Sequence, residues 1–167
     1  MATGCSATGI DFFSVYFRET DAGEFQEIAK VEDLAYLHQN LPSFAGCYYV
    51  TATDVGGSGS EPSNIVCKDN CIVFSLPNIF TPNNDGSNDE FTPKQGATFI
   101  RKATLRVYNR WGNKVYESSA EPGLRWKGID NSGKALSEGT YFYQVEVEFY
   151  GRVPENRTYK GWVEIVR

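Results

Sequence analysis

Residues 140–150 read TYFYQVEVEFY. Tyr141, Tyr143, Val145, Val147 and Phe149 fall on one side of this stretch. Phe142, Gln144, Glu146, Glu148 and Tyr150 fall on the other. A period of two with one apolar side is the signature of a half-buried antiparallel strand. Its neighbours carry similar signals: Ala103 to Asn109 (ATLRVYN), Lys114 to Glu117 and Thr158 to Val166 (TYKGWVEIV). Turns are expected at Trp111-Gly112-Asn113, Asn131-Ser132-Gly133 and Gly151 to Asn156, where glycine and asparagine supply the backbone angles that reverse a chain. No long helical period interrupts them. The second part of the chain, residues 72–167, therefore reads as a small antiparallel β-sandwich of Ig-like form.

The first part, residues 1–71, is also strand-rich. Asp11 to Glu19 places Phe13, Val15 and Phe17 on one face, Phe25 to Lys30 is a short strand, and Cys47 to Asp54 (CYYVTATD) is a strong one. Asp33 to Asn40 is ambiguous between helical turns and a loop. Val55 to Ser63 is a turn, and Asn64 to Lys68 returns as a partner strand. The fold class is thus all-β, with two small antiparallel sandwich units.

Composition agrees. Aromatic residues make up 14% of the 167, alongside 16 Gly and 7 Pro, a mixture suited to strands joined by tight turns. The net charge of -5 argues against nucleic-acid binding, which needs a basic surface. No stretch approaches the length of a membrane-spanning helix, so direct membrane insertion is not expected. The charge is uneven. Residues 1–71 hold ten acids against three bases, residues 72–167 eleven against thirteen, as two separate domains would.

All four cysteines, Cys5, Cys47, Cys67 and Cys71, lie in the first part. An even number in one β-rich unit points to disulfides formed outside the cytoplasm. Zinc is the competing reading, without a Cys-x-x-Cys pair or a nearby His to support it. Cys47 and Cys67 flank a turn near-symmetrically and are placed to face each other across a hairpin, with Cys71 a rival partner for either. The first twenty residues lack the charged start and apolar core of a signal peptide. The expectation is that export uses a leader on a longer protein, and that Met1 to Gly4 is an added start.

Residues 75–91 read SLPNIFTPNNDGSNDEF. Asn83, Asp85, Asn88 and Asp89 surround Asp85-Gly86. Oxygen-bearing side chains beside a glycine turn suggest calcium, with Asn83, Asp85 and Asp89 as candidate ligands. The spacing is not that of the twelve-residue calcium loop, however, and the same residues build Asx turns without metal. The turn reading is preferred, and no cofactor is required. Residues 105–116 (LRVYNRWGNKVY) place Arg110-Trp111-Gly112 between two strands. Arg and Trp are enriched at binding hot spots; the preferred expectation is that Trp111 plugs the end of the sandwich.

Two resemblances follow. Tyr49, Val50, Thr51, Ala52 and Asp54, with Gly59, Glu61, Pro62 and Ser63, make residues 1–71 similar to the middle and end of a fibronectin type III-like domain. Its first two strands are missing, so the first unit is expected to be truncated and to act as a spacer. The second resemblance spans about residues 72–167. It rests on Leu76-Pro77-Asn78, Phe80-Thr81-Pro82-Asn83, Asp85-Gly86, Asn88-Asp89, Tyr108 through Gly112, Val115-Tyr116, Trp126, Gly128, Gly139-Thr140-Tyr141, Tyr143, Tyr159-Lys160-Gly161 and Ile165-Val166-Arg167. This ordered set resembles the gliding motility-associated C-terminal domain, the type B sorting domain of the type IX secretion system. Asn84 stands where that family has Gly, and Lys127 where it has Asp.

The resemblance implies a C-terminal secretion and surface-attachment signal of a large, adhesin-like protein. Such a protein crosses the periplasm, and its folded end is recognised by outer-membrane type IX translocon components and an accessory outer-membrane protein. The protein is then held at the cell surface. The contacts it implies are the Pro82–Asp89 loop (Pro82, Asn83, Asp85, Gly86, Asn88, Asp89), the Arg110-Trp111-Gly112 turn, and the last strand with Tyr159, Lys160, Gly161, Val166 and Arg167. An enzyme is not expected: His38 is the single histidine, and no nucleophile–base pair, sugar cleft or phosphate loop is marked. The alternative reading is a carbohydrate-binding or adhesive module with Trp111, Trp126 and Trp162 as stacking candidates. A structural spacer is the third.

Overall fold

The computed structural model describes residues 9–120 and 124–167. Every regular element among them is a β-strand, as the period-two patterns require. Contacts divide the chain into two units, Met1–Asn70 with Gly151–Val153, and Cys71–Tyr150 with Pro154–Arg167.

The first unit is built on β1 (Ile10–Arg18), β2 (Gln26–Val31), β3 (Gly46–Asp54) and β4 (Val66–Lys68), in the order β2-β1-β3-β4 and antiparallel throughout. Phe13, Val15 and Phe17 share one face, opposite Ala52, Val50 and Tyr48 of β3. On the other face Tyr16 stacks on its partner Tyr49 with ring centroids 4.6 Å apart. Residues 33–40 form no helix; His38 is fixed by its ring Nδ1, 3.0 Å from the Tyr48 hydroxyl. Cys47 lies directly opposite Cys67 in the β3–β4 ladder, and the two form a disulfide. Cys71 is exposed and unbonded, which removes it as the rival partner. Cys5 lies outside the described residues.

The second unit holds β5 (Ile79–Phe80), β6 (Ile100–Tyr108), β7 (Lys114–Ala120), β8 (Gly139–Phe149) and β9 (Glu155–Ile165), in the order β5-β9-β8-β6-β7. The central strand is the one whose alternation is cleanest. Tyr141, Val145, Val147 and Phe149 of β8 are buried, with Tyr143 partly so. All pairings are antiparallel except β5 with β9, which is parallel. A two-residue strand carries no readable period, so this pairing is invisible in the sequence.

The layer facing this sheet is not a second continuous ladder. It consists of extended segments joined by isolated bridges, Phe91 to Trp126 and Ile129 to Ala135. Backbone bonds from Thr98 N–H to the Val73 carbonyl and from Lys94 N–H to the Ser75 carbonyl tie it together. Pro77, Pro82, Pro93, Gly86, Gly96, Gly128 and Gly133 punctuate these segments, and such residues interrupt regular ladders. The layer nevertheless supplies Phe91, Leu124 and Trp126 to the core, with Ile72, Phe74 and Leu76 at its margin. Trp126 is 1% exposed. Its ring lies 5.3 Å from Phe80, 6.3 Å from Phe91, 5.9 Å from Tyr116 and 6.0 Å from Tyr141. Its indole N–H donates to the Ile129 carbonyl at 2.7 Å, so the buried donor is satisfied.

Two predictions follow from this packing. Trp126→Ala is expected to lower stability by about 3–5 kcal/mol, read as a shift in the urea midpoint. Cys67→Ser, which opens the loop closed by the disulfide, is expected to cost about 2–4 kcal/mol in non-reducing conditions; adding a reductant should bring the wild type to the same stability and leave the variant unmoved.

Candidate functional site

The loop after β5 is organised by its own side chains. The Asp89 carboxylate accepts from the backbone N–H of Asn84 at 2.6 Å and of Gly86 at 2.8 Å. Asp85 accepts from the Ser87 N–H at 2.8 Å and from the Asn83 side-chain amide at 2.9 Å, while the Asn83 oxygen accepts from the Asp85 N–H. Asn84, Gly86 and Asn88 all take positive φ, at 62°, 86° and 55°. Asparagine enters that region more readily than most residues with a side chain, so Asn84 fits where the resembled family has Gly. The oxygens of Asp85 and Asp89 are thus engaged by protein donors, as in Asx turns. Among the described residues no cluster of three or more His, Cys, Asp or Glu is placed to hold a metal.

Beside this loop lies an open cleft of about 800 Å³, lined by Pro82, Asn88, Glu90, Arg125, Lys127 and Arg167 among others. The Phe91–Trp126 bridge positions part of its wall, since Glu90, Thr92, Arg125 and Lys127 flank the two bridged residues. With Phe91 N–H bonded to the Trp126 carbonyl and the reverse bond also made, Glu90 is set beside Arg125 and Lys127. Its two oxygens lie 3.4 Å from the Arg125 guanidinium and 3.5 Å from the Lys127 ammonium. Arg167 donates from its side chain to the Leu136 carbonyl at 2.7 Å and from its backbone to the Glu138 carboxylate at 2.9 Å. Gly128 lies between the lining residues Lys127 and Ile129. Its φ is +70°, and a Cβ there would stand 3.3 Å from Ile165, Phe80 and Pro82.

The structure gathers some of the expected contact residues and separates others. Pro82, Asn88, Asp89 and Arg167 meet at the cleft, and Val166 donates its N–H to the Phe80 carbonyl nearby. The Arg110-Trp111-Gly112 turn sits at the same end of the sheet, since Tyr108 pairs with Phe142 and Phe142 with Trp162. It is clamped by the Asn109 side-chain oxygen, which accepts from the Trp111 and Asn113 N–H groups at 3.0 Å each. Trp111 is not the expected plug: it is 74% exposed, with the Arg110 guanidinium 4.9 Å over its ring. A tight turn with Gly112 at φ +80° projects the side chain into solvent rather than back over the core. Tyr159, Lys160 and Gly161 lie further back along β9. Tyr159 packs on Phe74 at 4.5 Å, and Gly161 leaves room for the Tyr143 ring. Trp126, proposed for sugar stacking, is core, so the three tryptophans form no shared platform.

Glu90 and Arg125 were not visible as site residues in the sequence. Their nearness depends on the register of a single bridge between segments 35 residues apart, which no local pattern encodes. Asp85 supplies a test of the loop. Hydrogen bonds from Asn83, and then from the Ser87 N–H, hold its carboxyl below the ordinary range. The loop's preference for the charged form is therefore present at neutral pH and lost as pH falls below the unfolded value towards the lower folded one. The Ser87 amide proton is expected to titrate in NMR with a midpoint below about 3.9, the ordinary aspartate value, and to lose that step in Asp85→Asn.

Comparison with known proteins adds the family. No curated protein sequence matches this chain. Among solved structures, dimeric latent PorU from Porphyromonas gingivalis aligns with a TM-score of 0.36 and 15% identity, covering 98% of this chain and 17% of that one. The chain thus spans less than a fifth of PorU's length. The family described as the CHU_C type IX secretion signal domain matches residues 74–165, more than half of the chain and all of the core built around Trp126. The chain belongs to the CHU_C type IX secretion signal domain family.

Proposed function

We propose that residues 72–167 act as a folded sorting signal, read by outer-membrane type IX translocon components and an accessory outer-membrane protein. The protein that carries the signal is exported through the periplasm and retained at the cell surface, where it serves as an adhesin. We read no catalysis into it. The observation that carries this reading is the coincidence of the family match with one self-contained core. All thirteen buried residues of that cluster, from Phe80 to Ile165, fall inside the matched range. A signal whose extent is that of a packed domain is suited to recognition as a surface, with its side chains preset on strands and clamped turns.

The test is export of a periplasm-directed reporter fused ahead of the whole 167-residue chain, in cells with and without a working type IX translocon. Surface exposure of the reporter, measured by added protease, is expected only with the translocon. A fusion carrying Trp126→Ala, which disrupts the core while every exposed contact residue stays in the sequence, should stay in the periplasm. Equal surface exposure in both strains would sink the reading. Export of the Trp126→Ala fusion at the wild-type level would show that a linear motif is read instead of a fold.

A further inference from the structure

The two edges of the five-stranded sheet are not equivalent. One edge is β7. Its Glu117 N–H donates to the Asn131 side-chain oxygen at 2.8 Å, and the Asn131 amide donates back to the Glu117 carbonyl at 3.1 Å. This is the pair of bonds that a neighbouring strand would make, so the side chain of Asn131 caps this edge at its middle.

The opposite edge is β9, and β5 covers only its end, pairing Ile79 with Glu164 and Phe80 with Ile165. The Glu164 N–H points outward, to the Asn78 carbonyl. Pairing with β8 is regular along the whole of β9. The backbone groups of Asn156, Thr158, Lys160 and Trp162 therefore point outward as well. Among the described residues, none of these four has a backbone hydrogen bond on that side. The segment before β5 does not fill the gap, because it bonds to Lys94 and Thr98 in the facing layer.

The side chains above this open edge are also unfinished. Tyr108, Phe142 and Trp162 form a cross-strand row on the outer face that stops at Trp162, which is 47% exposed. The next row, Arg106, Gln144 and Lys160, stops at an exposed lysine with no ion pair among the described residues. A strand added beside β9 would place one side chain next to Trp162 and another, two residues away, next to Lys160.

We propose that the outward edge of β9 from Asn156 to Trp162 is a strand-addition site for an extended segment of a partner protein. That segment carries an acidic residue opposite Lys160 and an aromatic or β-branched residue opposite Trp162, two residues apart so that both lie on one face. The proposal rests on the sorting reading above and names where on the domain the partner attaches.

The experiment uses the same reporter fused to the whole chain. Thr158→Pro deletes one outward N–H without touching the β8 ladder, a substitution that edge strands accept. Lys160→Glu reverses the charge at an exposed position. Each variant is first shown by urea unfolding to match the wild-type fold. Surface export is expected to fall roughly tenfold for Thr158→Pro, the equivalent of one lost hydrogen bond of the stronger kind, and also to fall for Lys160→Glu. If the wild-type fusion is exported and both folded variants are exported equally well, the edge proposal is overturned while the sorting reading stands. If the wild-type fusion is not exported, both fall together. Sedimentation of the isolated chain completes the test: a dimer that Thr158→Pro abolishes would make a second copy the occupant and overturn the assignment to a partner protein.

Discussion

The burial of Trp126 is the constraint on which the second unit depends. The facing layer has no ladder of its own, so its position over the sheet rests on what it inserts. Trp126 inserts the largest group, among Phe80, Phe91, Tyr116 and Tyr141. Its backbone pairs with Phe91, which brings Glu90 to Arg125 and Lys127 and so shapes the cleft. Its indole N–H fixes the Ile129 carbonyl, at the head of the turn that carries Asn131 to the edge of β7. One side chain thus sets the core, the cleft wall and the capped edge. Its burial stabilises through apolar area removed from water, and its single polar atom is satisfied at the same time.

What was legible in the sequence follows from the range of each interaction. The inward side of β8 is written in a period of two and was read correctly from Tyr141 to Phe149. The Cys47–Cys67 pair was legible as one of several options, because a hairpin with a turn between the two cysteines places them opposite each other. Trp111 and Trp126 were not distinguishable by type. One sits in a glycine turn that throws it outward, and the other on a bridge that draws it in. The cleft was illegible for the same reason as the β5–β9 pairing: each is set by contacts between distant segments, and neither leaves a local pattern.

The charged residues of the signal domain divide into those that maintain the fold's surface and those with capacity to spare. On the outer face, Arg106 bonds Glu117 at 2.8 Å and Glu146 at 2.7 Å, and both carboxyls are held below their ordinary range, Glu146 mainly by Arg106 and Glu117 first by Lys114 and then by Arg106. These groups are exposed, and such networks contribute little to stability. Their effect is to use up the charge on the rows leading to β7. Towards β9 the rows end in the exposed Lys160 and the half-exposed Trp162. In the cleft, Arg125 and Lys127 share one carboxylate. An exposed lysine and a half-exposed tryptophan therefore stand beside the open stretch of β9.

An open strand edge is a hazard as well as an opportunity, because it pairs with any extended chain it meets. The features of β9 moderate that hazard without closing the edge. Lys160, exposed at the middle of the open stretch, disfavours a second copy laid in register, since that would bring like charges together. Arg157 is held by Glu155 through paired bonds at 2.6 Å and 2.8 Å, so its charge is already answered and adds no second demand on a partner. Backbone hydrogen bonds would supply affinity for many sequences, and the lysine and tryptophan beside them would supply the choice among those sequences. A signal that must be bound by one machine and ignored by everything else needs that division. This sheet achieves it with one edge capped by an asparagine and the other left open under a single cation.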